Sequence, residues 1–373
     1  MSSSEKNRTG LRQHLWFQRS AAGPLVKGHF RLLREDAVMA VVLALVLFVT
    51  IAQGSDFVTN TVISFALFTI LAASLQLMLG FSNQASLTQA GIYGVGAYAS
   101  VYVETHLGVP VVVALIAALV SGGILGLIFA LPLIRLREHF LAMATLAAQV
   151  ILTTAFTQID PLTGGINGEA APDATINSIG MLAILLIIDL AVLMGLSHLR
   201  VSRIGRQILA LKVDETMASS VGVNVGALRV VVVVIAFAMA AGAGFLFTET
   251  AAFISPDDFT LTTSLAVLVA VVLGGRSLTW GTLVGAGAYS ALNAATTSFP
   301  GLSTIIIGVA LVIVLGYAPG GLTGLRPAWA VRAGQIALAR LRGGQEPKAE
   351  SPSGSPDPAR TAAAPIKPEG GRR

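Results

Sequence analysis

The sequence predicts an all-α polytopic membrane protein with about ten transmembrane or re-entrant helices. Three observations lead there. The chain of 373 residues is 54% hydrophobic and only 12% charged, about half the charge of a soluble domain. Its Lys and Arg gather in a few patches: none occurs in 37–134, 138–199 or 230–275, and 277–325 carries no charge at all. The apolar runs between the patches approach the ~20 residues that a helix needs to cross a ~30 Å hydrocarbon core.

The first 36 residues are polar and basic, with Arg8, Arg12, Arg19, Lys27, Arg31 and Arg34. That is too long for the n-region of a cleaved signal peptide, so 37–55 reads as an uncleaved first span. Further runs follow at 57–79, 88–103, 110–134, 140–159, 178–198, 229–248, 260–275, 281–297 and 302–318. Counted from a cytoplasmic N-terminus, one side of the membrane holds Arg135 and Arg137, then Arg200, Arg203, Arg206, Lys212 and Arg229, then Arg276, then Arg326 onward. The other side holds Asp56, Glu104, Asp160, Glu169, Asp173, Glu249, Asp257 and Asp258, and no basic residue. Removing one crossing would place a basic patch outside, so the positive-inside rule favours an even number and a cytoplasmic C-terminus. Eight crossings plus two re-entrant segments satisfy the same rule. The chain thus divides into a cytoplasmic segment 1–36, a membrane domain 37–325 and a tail 326–373. The tail is rich in Pro, Gly, Ala and Ser and is expected to be largely disordered.

Composition also excludes. There are no cysteines, hence no disulfide or thiolate site. The net charge of +5 belongs to the cytoplasmic patches and lacks the aromatic-interleaved stripe of a nucleic-acid binder. No H-E-x-x-H helix, G-x-S-x-G elbow or Walker A loop occurs, and five scattered histidines make no metal constellation. No catalytic residue, metal ligand or cofactor is expected.

One repeat is visible. Ser86-Leu87-Thr88 leads to Gly94-Val95-Gly96-Ala97-Tyr98, and Ser277-Leu278-Thr279 leads at the same spacing to Gly285-Ala286-Gly287-Ala288-Tyr289. Transporter folds are often built from such repeats, with the site where they meet. Chance likeness between Gly/Ala-rich helices is the plain alternative.

Four features could carry function. In the first, Ser82, Asn83, Gln84, Ser86, Thr88 and Gln89 crowd a stretch, 57–103, that has no charge. Facing lipid they would be costly, so they should face a helix interface or a water-filled path. Gly80, Gly91, Gly94 and Gly96 permit a broken helix or close contact, and a broken helix exposes N–H groups suited to a carboxylate. The second is a short amphipathic helix over 202–221 with Gly222 as its stop. Ile204, Ile208, Leu211 and Met217 are its apolar positions; Arg203, Arg206, Lys212, Asp214 and Glu215 are its polar ones. Its acids favour docking to a protein over lying on a membrane. The third, loop 160–168, is rich in Pro, Gly and Asn and reads as a turn-forming connector or an outer docking surface. The fourth is Asp189, an acid inside an apolar span and so a functional candidate by default. His139, beside Arg135, Arg137 and Glu138, reads as part of an interfacial cluster.

These residues together resemble the permease subunits of branched-chain amino-acid ABC importers, specifically the M-type subunit of the high-affinity leucine/isoleucine/valine system. The resemblance runs from about Asp56 to Leu325. LMLGFSNQASLTQAGIYGVGAY at 77–98, LREHFLAMATLA at 136–147 and LTGGINGE at 162–169 carry it first. SRIGRQILALKVDETMASSVGVNV at 202–225, FISPDDFTLTTSLAVLVAVVLGGRSLTWGTLVGA at 253–286 and YAPGGLTGL at 317–325 follow. It implies a multi-pass protein of the bacterial inner membrane that performs no bond chemistry. Its partners would be a second permease, homologous or identical, two cytoplasmic ATP-binding subunits that hold the ATP, and a periplasmic solute-binding protein. The 202–222 helix would be the coupling segment docking into an ATPase, with Glu215 and Gly222 matching the acid and glycine of the family's loop. Ser82, Asn83, Gln84, Ser86, Thr88 and Gln89, with repeat-mates Ser277 and Thr279, would line the pathway. Asn83, Thr88-Gln89, Glu138-His139 and Glu169 depart from the residues more usual in the family. Relatives with similar motifs carry urea, short amides or aromatic acids, so the family is better specified than the solute. An ATP-independent secondary transporter is the rival from another class. It would need an intramembrane ion site, for which the spans offer only Asp189.

Overall fold

The computed structural model describes residues 36–133, 138–172, 177–213, 215–220, 222–275 and 279–296. Nine of the ten apolar runs fall within these residues, save for positions 134 and 297, and each overlaps a helix. They are α1 (Asp36–Gln53), α2 (Asp56–Leu75), α3 (Gln89–Leu107), α4 (Val111–Leu133) and α5 (Glu138–Gln158). The order continues with a short α6 (Asp160–Thr163), α7 (Ser178–Val201), α8 (Arg203–Val213), α9 (Glu215–Ser220), α10 (Val225–Thr248), α11 (Leu261–Gly274) and α12 (Thr279–Thr296). The tenth run, 302–318, lies outside the described residues, as do 1–35 and the tail.

Six of these helices are long and apolar enough to cross a bilayer: α1, α2 with its continuation to Phe81, α4, α5, α7 and α10. The described residues thus supply six of the about ten expected spans. α3 has the length, but Gln89, three glycines and Glu104-Thr105-His106 lower its hydropathy. α11 has only 14 residues.

The two faces of α4 show why the spans read as membrane helices. Val112, Ile116, Val120, Ile124, Leu127 and Leu131 are exposed large side chains at helical spacing. In water such a face would be an open apolar patch; against lipid it is matched. Ala114, Ala118 and Ala130 are buried on the other side, where α4 packs on α10.

α10 is the centre of the bundle and touches α2, α3 and α4. Ala236, Ala240, Ala241 and Ala243 are fully buried along it. Lipid provides no hydrophobic drive for helices to associate, so close backbone packing through small residues must hold them. Gly96 on α3 lies so near Ala241 that a Cβ there would overlap the Ala241 carbonyl, and Gly244 sits in the same way against the Tyr93 carbonyl. Sequence pattern here becomes packing: the small residues of two helices permit the approach.

The α5–α7 and α10–α11 connections are more ordered than turn propensity implies. α6 is followed by a 3₁₀ turn (Gly165–Asn167) and by β1 (Glu169–Ala170). β1 pairs antiparallel with β2 (Phe253–Ile254), Glu169 opposite Ile254. This two-residue ladder departs slightly from an all-α fold, and it ties loop 160–168 to the α10–α11 link.

Candidate functional site

α2 does not end as a regular helix. It widens into a π-helical segment, Gln76–Phe81, buried throughout. Such segments are rare and frequent at functional sites. The chain then breaks. Ser82 donates its hydroxyl to the Met78 carbonyl at 2.7 Å, and the Gln84 amide donates to the same carbonyl at 3.0 Å. Asn83 between them takes φ +57°, the sole non-glycine with positive φ among the described residues. Asn tolerates that conformation better than most residues.

Ser82, Gln84, Ser86, Thr88 and Gln89 are all buried, whereas Asn83 is half-buried. Gln89 lies within 3.2 Å of the Ser74 hydroxyl, which donates to its carbonyl oxygen, and its amide reaches the Met78 sulfur at 3.5 Å. The Thr88 hydroxyl donates to the Thr145 carbonyl at 2.8 Å, and the Thr88 amide to Ser86 Oγ at 3.4 Å. The break thus brings these six residues together at the start of α3, but packed against α2 and α5. Of the repeat-mates, Ser277 lies outside the described residues. Thr279 opens α12 as Gln89 opens α3, but its side chain lies outside them.

The α3 N-terminus corrects one expectation. Its freed N–H groups are not open to a carboxylate. The Ala90 amide donates to Ser264 Oγ at 2.9 Å and the Gly91 amide to Gln149 Oε1 at 2.7 Å. The Leu87 amide donates to Thr145 Oγ1 at 3.1 Å. Buried N–H groups must find acceptors, and here α5 and α11 supply them. Ser264 donates on to Gln149 Oε1 at 3.1 Å, and Gln149 Nε2 donates to the Phe259 carbonyl at 2.8 Å. Thr145, Gln149 and Ser264 were missed from the sequence. The available signal was an amide and hydroxyls within otherwise apolar spans, which commonly bond across helices.

Phe259 is fully buried and stands among Tyr93 (5.5 Å), Tyr98 (5.5 Å), Phe156 (5.9 Å) and Phe247 (6.1 Å) by ring centroid. A capping box in the preceding turn fixes it: the Ser255 amide donates to Asp258 Oδ2 at 3.0 Å. Asp258 titrates above its ordinary range because burial outweighs the Ser255 N–H that favours its charge, with Asp257 adding repulsion. Glu249, just beyond α10, is raised by burial first and by Glu104 second.

At the other end, Ser202 breaks α7 with extended backbone, and its hydroxyl accepts from the Gly205 amide at 3.0 Å, capping α8. Helix is described over α8 and again over α9, with Asp214 between them and the Glu215 side chain both outside the described residues. Gly222, at φ +84°, donates to the Ser219 carbonyl at 3.0 Å while Val223 donates to Ala218 at 3.2 Å, a Schellman stop. Ile208 and Leu211 are buried at 2% and 5%, but Ile204, expected on the same face, is 51% exposed. The reason is position: Ile204 stands in the first turn, beside exposed Arg203 and Arg206. Arg206 donates to the Val201 carbonyl at 2.6 Å. α8 packs on α7 and on the Gln76–Phe81 segment.

Asp189 is fully buried on the inner stripe of α7, with Leu182, Leu185 and Leu193. Neither of its oxygens has a hydrogen-bond partner among the described residues, and the same is true of the buried Gln76 amide. Among the described residues no three His, Cys, Asp or Glu side chains form a metal-sized group.

The profile of the family described as "Branched-chain amino acid transport system / permease component" matches residues 57–315. The high-affinity branched-chain amino acid transport system permease protein LivM of Salmonella typhimurium is 27% identical over 319 residues, covering 76% of this chain and 74% of its own. The protein of the same name from Escherichia coli K12 is 26% identical over 304 residues, covering 73% and 70%. No solved structure matches. The profile covers most of the chain, including the broken α2–α3 segment, α8 and the α10–α11 turn, and the chain belongs to the branched-chain amino acid transport system permease family.

Proposed function

We propose that this permease forms the translocation pathway of an ATP-driven importer for branched-chain or related hydrophobic amino acids. It works with a second permease, two cytoplasmic ATP-binding subunits and a periplasmic solute-binding protein, in the inner membrane with both termini cytoplasmic. ATP is bound by those subunits and the chain holds no cofactor of its own. The observation that carries this reading is the packing of α8 on the π-helical segment that leads into Ser82–Gln89. α8 presents Arg203, Ile204 and Arg206 outward and buries Ile208 in the bundle core. ATPase closure would push on α8, with Asp214, Glu215 and Gly222 in the docking loop, and that push reaches the broken α2–α3 segment directly. Ser82, Asn83, Gln84, Ser86, Thr88 and Gln89, with Ser277 and Thr279, are the proposed pathway residues. They would become accessible as that segment rearranges.

The test is leucine uptake into proteoliposomes containing the permease pair, the ATPases and the binding protein. Uptake should stop on ATP depletion with the proton gradient held. Uptake that follows the gradient instead would make the protein a secondary transporter. Glu215→Lys should uncouple ATP hydrolysis from uptake without loss of folded protein, and normal coupled uptake would remove the docking assignment. Binding of urea, short amides or aromatic acids, but not leucine, to the cognate receptor would transfer the pathway to those solutes.

A further inference from the structure

Between α2, α4, α7 and α10 runs a groove of about 460 Å³. Its wall is apolar, from Leu115 and Leu119 on α4 through Ile184 and Ile188 on α7 to Met239 and Leu246 on α10. One carboxylate, that of Glu249, stands at its end. The groove follows α10 from Met239 to Glu249 and α7 from Met181 to Val192. At ~1.5 Å per residue either stretch is ~15 Å long, half of a ~30 Å hydrocarbon core. Ile184 on its wall is also exposed, so the groove opens sideways, toward a single leaflet.

Among the described residues Glu249 has no ion-pair partner. Its Oε1 is buried without a hydrogen-bond partner among the described residues. Glu104 adds negative field, which shows in the raised titration of Glu249. No Lys or Arg occurs in α2 or α4, in α7 before Arg200, or in α10 after Arg229. A carboxylate oxygen taken out of water calls for a charged N–H donor.

We infer that the groove holds one acyl chain of a lipid whose headgroup carries a primary ammonium, with that ammonium donating to Glu249. The leaflet is the one bordering Glu249. The chain length that fits is set by the groove, and the headgroup is set by the acid. A phosphatidylethanolamine head supplies N–H donors and positive charge together. A phosphatidylcholine head has the charge but no N–H, and a phosphatidylglycerol head is repelled by Glu249 and Glu104 alike.

The experiment is native mass spectrometry of the full chain released from micelles containing equal amounts of the three lipids. Phosphatidylethanolamine should be retained about fivefold over either competitor, as suits one partly exposed charged contact. Glu249→Gln should bring it down to the phosphatidylcholine level, and Ile184→Trp, which fills the groove, should lower retention of all three. Thermal unfolding and helix content are recorded for each variant. Equal retention of the three lipids by the unaltered chain overturns the inference, and that comparison decides even if a variant fails to fold. Displacement of the lipid by free leucine also overturns it and gives the groove to the solute. The comparison of the three lipids does not depend on which solute the importer carries.

Discussion

The side-chain oxygen of Gln149 accepts the Gly91 amide at 2.7 Å, so α5 closes the N-terminus of α3 where the broken segment ends. The same amide group receives Ser264 and donates to the Phe259 carbonyl. One residue therefore joins α3, α5, α11 and the aromatic cluster around Phe259. Each buried group left without a partner costs ~1–3 kcal/mol. Gln149→Leu orphans the Gly91 amide and the Phe259 carbonyl together, and should lower stability by about 2–5 kcal/mol. Gln149→Glu, neutral in this buried position, keeps an acceptor for Gly91 and an O–H donor for the Phe259 carbonyl and should do less harm. Thermal unfolding of the purified chain checks the order, and equal stability of all three proteins would show that the network contributes nothing.

Asp189 poses the opposite case. Both its oxygens are buried and unpartnered among the described residues, and an acid within a span is unfavourable by ~2.5–3.5 kcal/mol on insertion scales. Asp189→Asn removes the possibility of charge while keeping shape. It should leave thermal stability unchanged or raise it. A clear loss of stability would mean that the carboxylate is held by a partner, and a stable variant without uptake would mean that the acid serves transport.

How much of this was legible follows from the physics of each signal. Helix positions came from apolar length, which is a property of each segment by itself, and so α1, α2, α4, α5, α7 and α10 lay close to their runs. Gly222 was read as a stop because only local backbone decides it. The pairing of Gln149 with Gly91 was not legible, since residues 58 apart meet only once α3 and α5 are packed. The outward position of Ile204 was missed for a related reason: periodicity gives a helix two faces but does not say where along the helix its partner ends. The π-helical turn before Ser82 had no sequence signature beyond Gly80.

Glu249 and Asp258 give the protein a predicted pH response. Both titrate above their ordinary values of 4.5 and 3.8, in each case first through burial. The folded state therefore binds these protons more tightly than the unfolded state. Their contribution to stability is fully present below the unfolded values and is lost as pH rises through the raised, folded ones. Glu249→Gln carries no proton to lose, so its stability relative to the unaltered chain should improve as pH climbs from about 4.5 toward neutrality. Asp258→Asn should show the same trend, offset by a weaker bond from the Ser255 amide, since a neutral amide oxygen accepts less strongly than a carboxylate. Melting series in lipid-free micelles would reveal it, and parallel curves for variant and parent would contradict the assignment.

The last prediction separates the two faces of α8. Ile208 is 2% exposed within the bundle core and Ile204 is 51% exposed. Both are isoleucines on one short helix, so helix propensity cancels between them. Ile208→Ala opens a cavity against the bundle and should cost about 2–4 kcal/mol. Ile204→Ala removes nothing from the core and should change stability by less than ~0.5 kcal/mol. If α8 docks into an ATPase, the order reverses for assembly. Ile204→Ala should then weaken co-purification of the ATP-binding subunits by several-fold, as truncation of an interface anchor does, while the permease stays folded. Ile208→Ala, where it folds, should still bind them but transmit less, seen as ATP hydrolysis that continues with reduced leucine uptake. Identical effects of the two substitutions on stability and on assembly would contradict both the burial of one face and the docking role of the other.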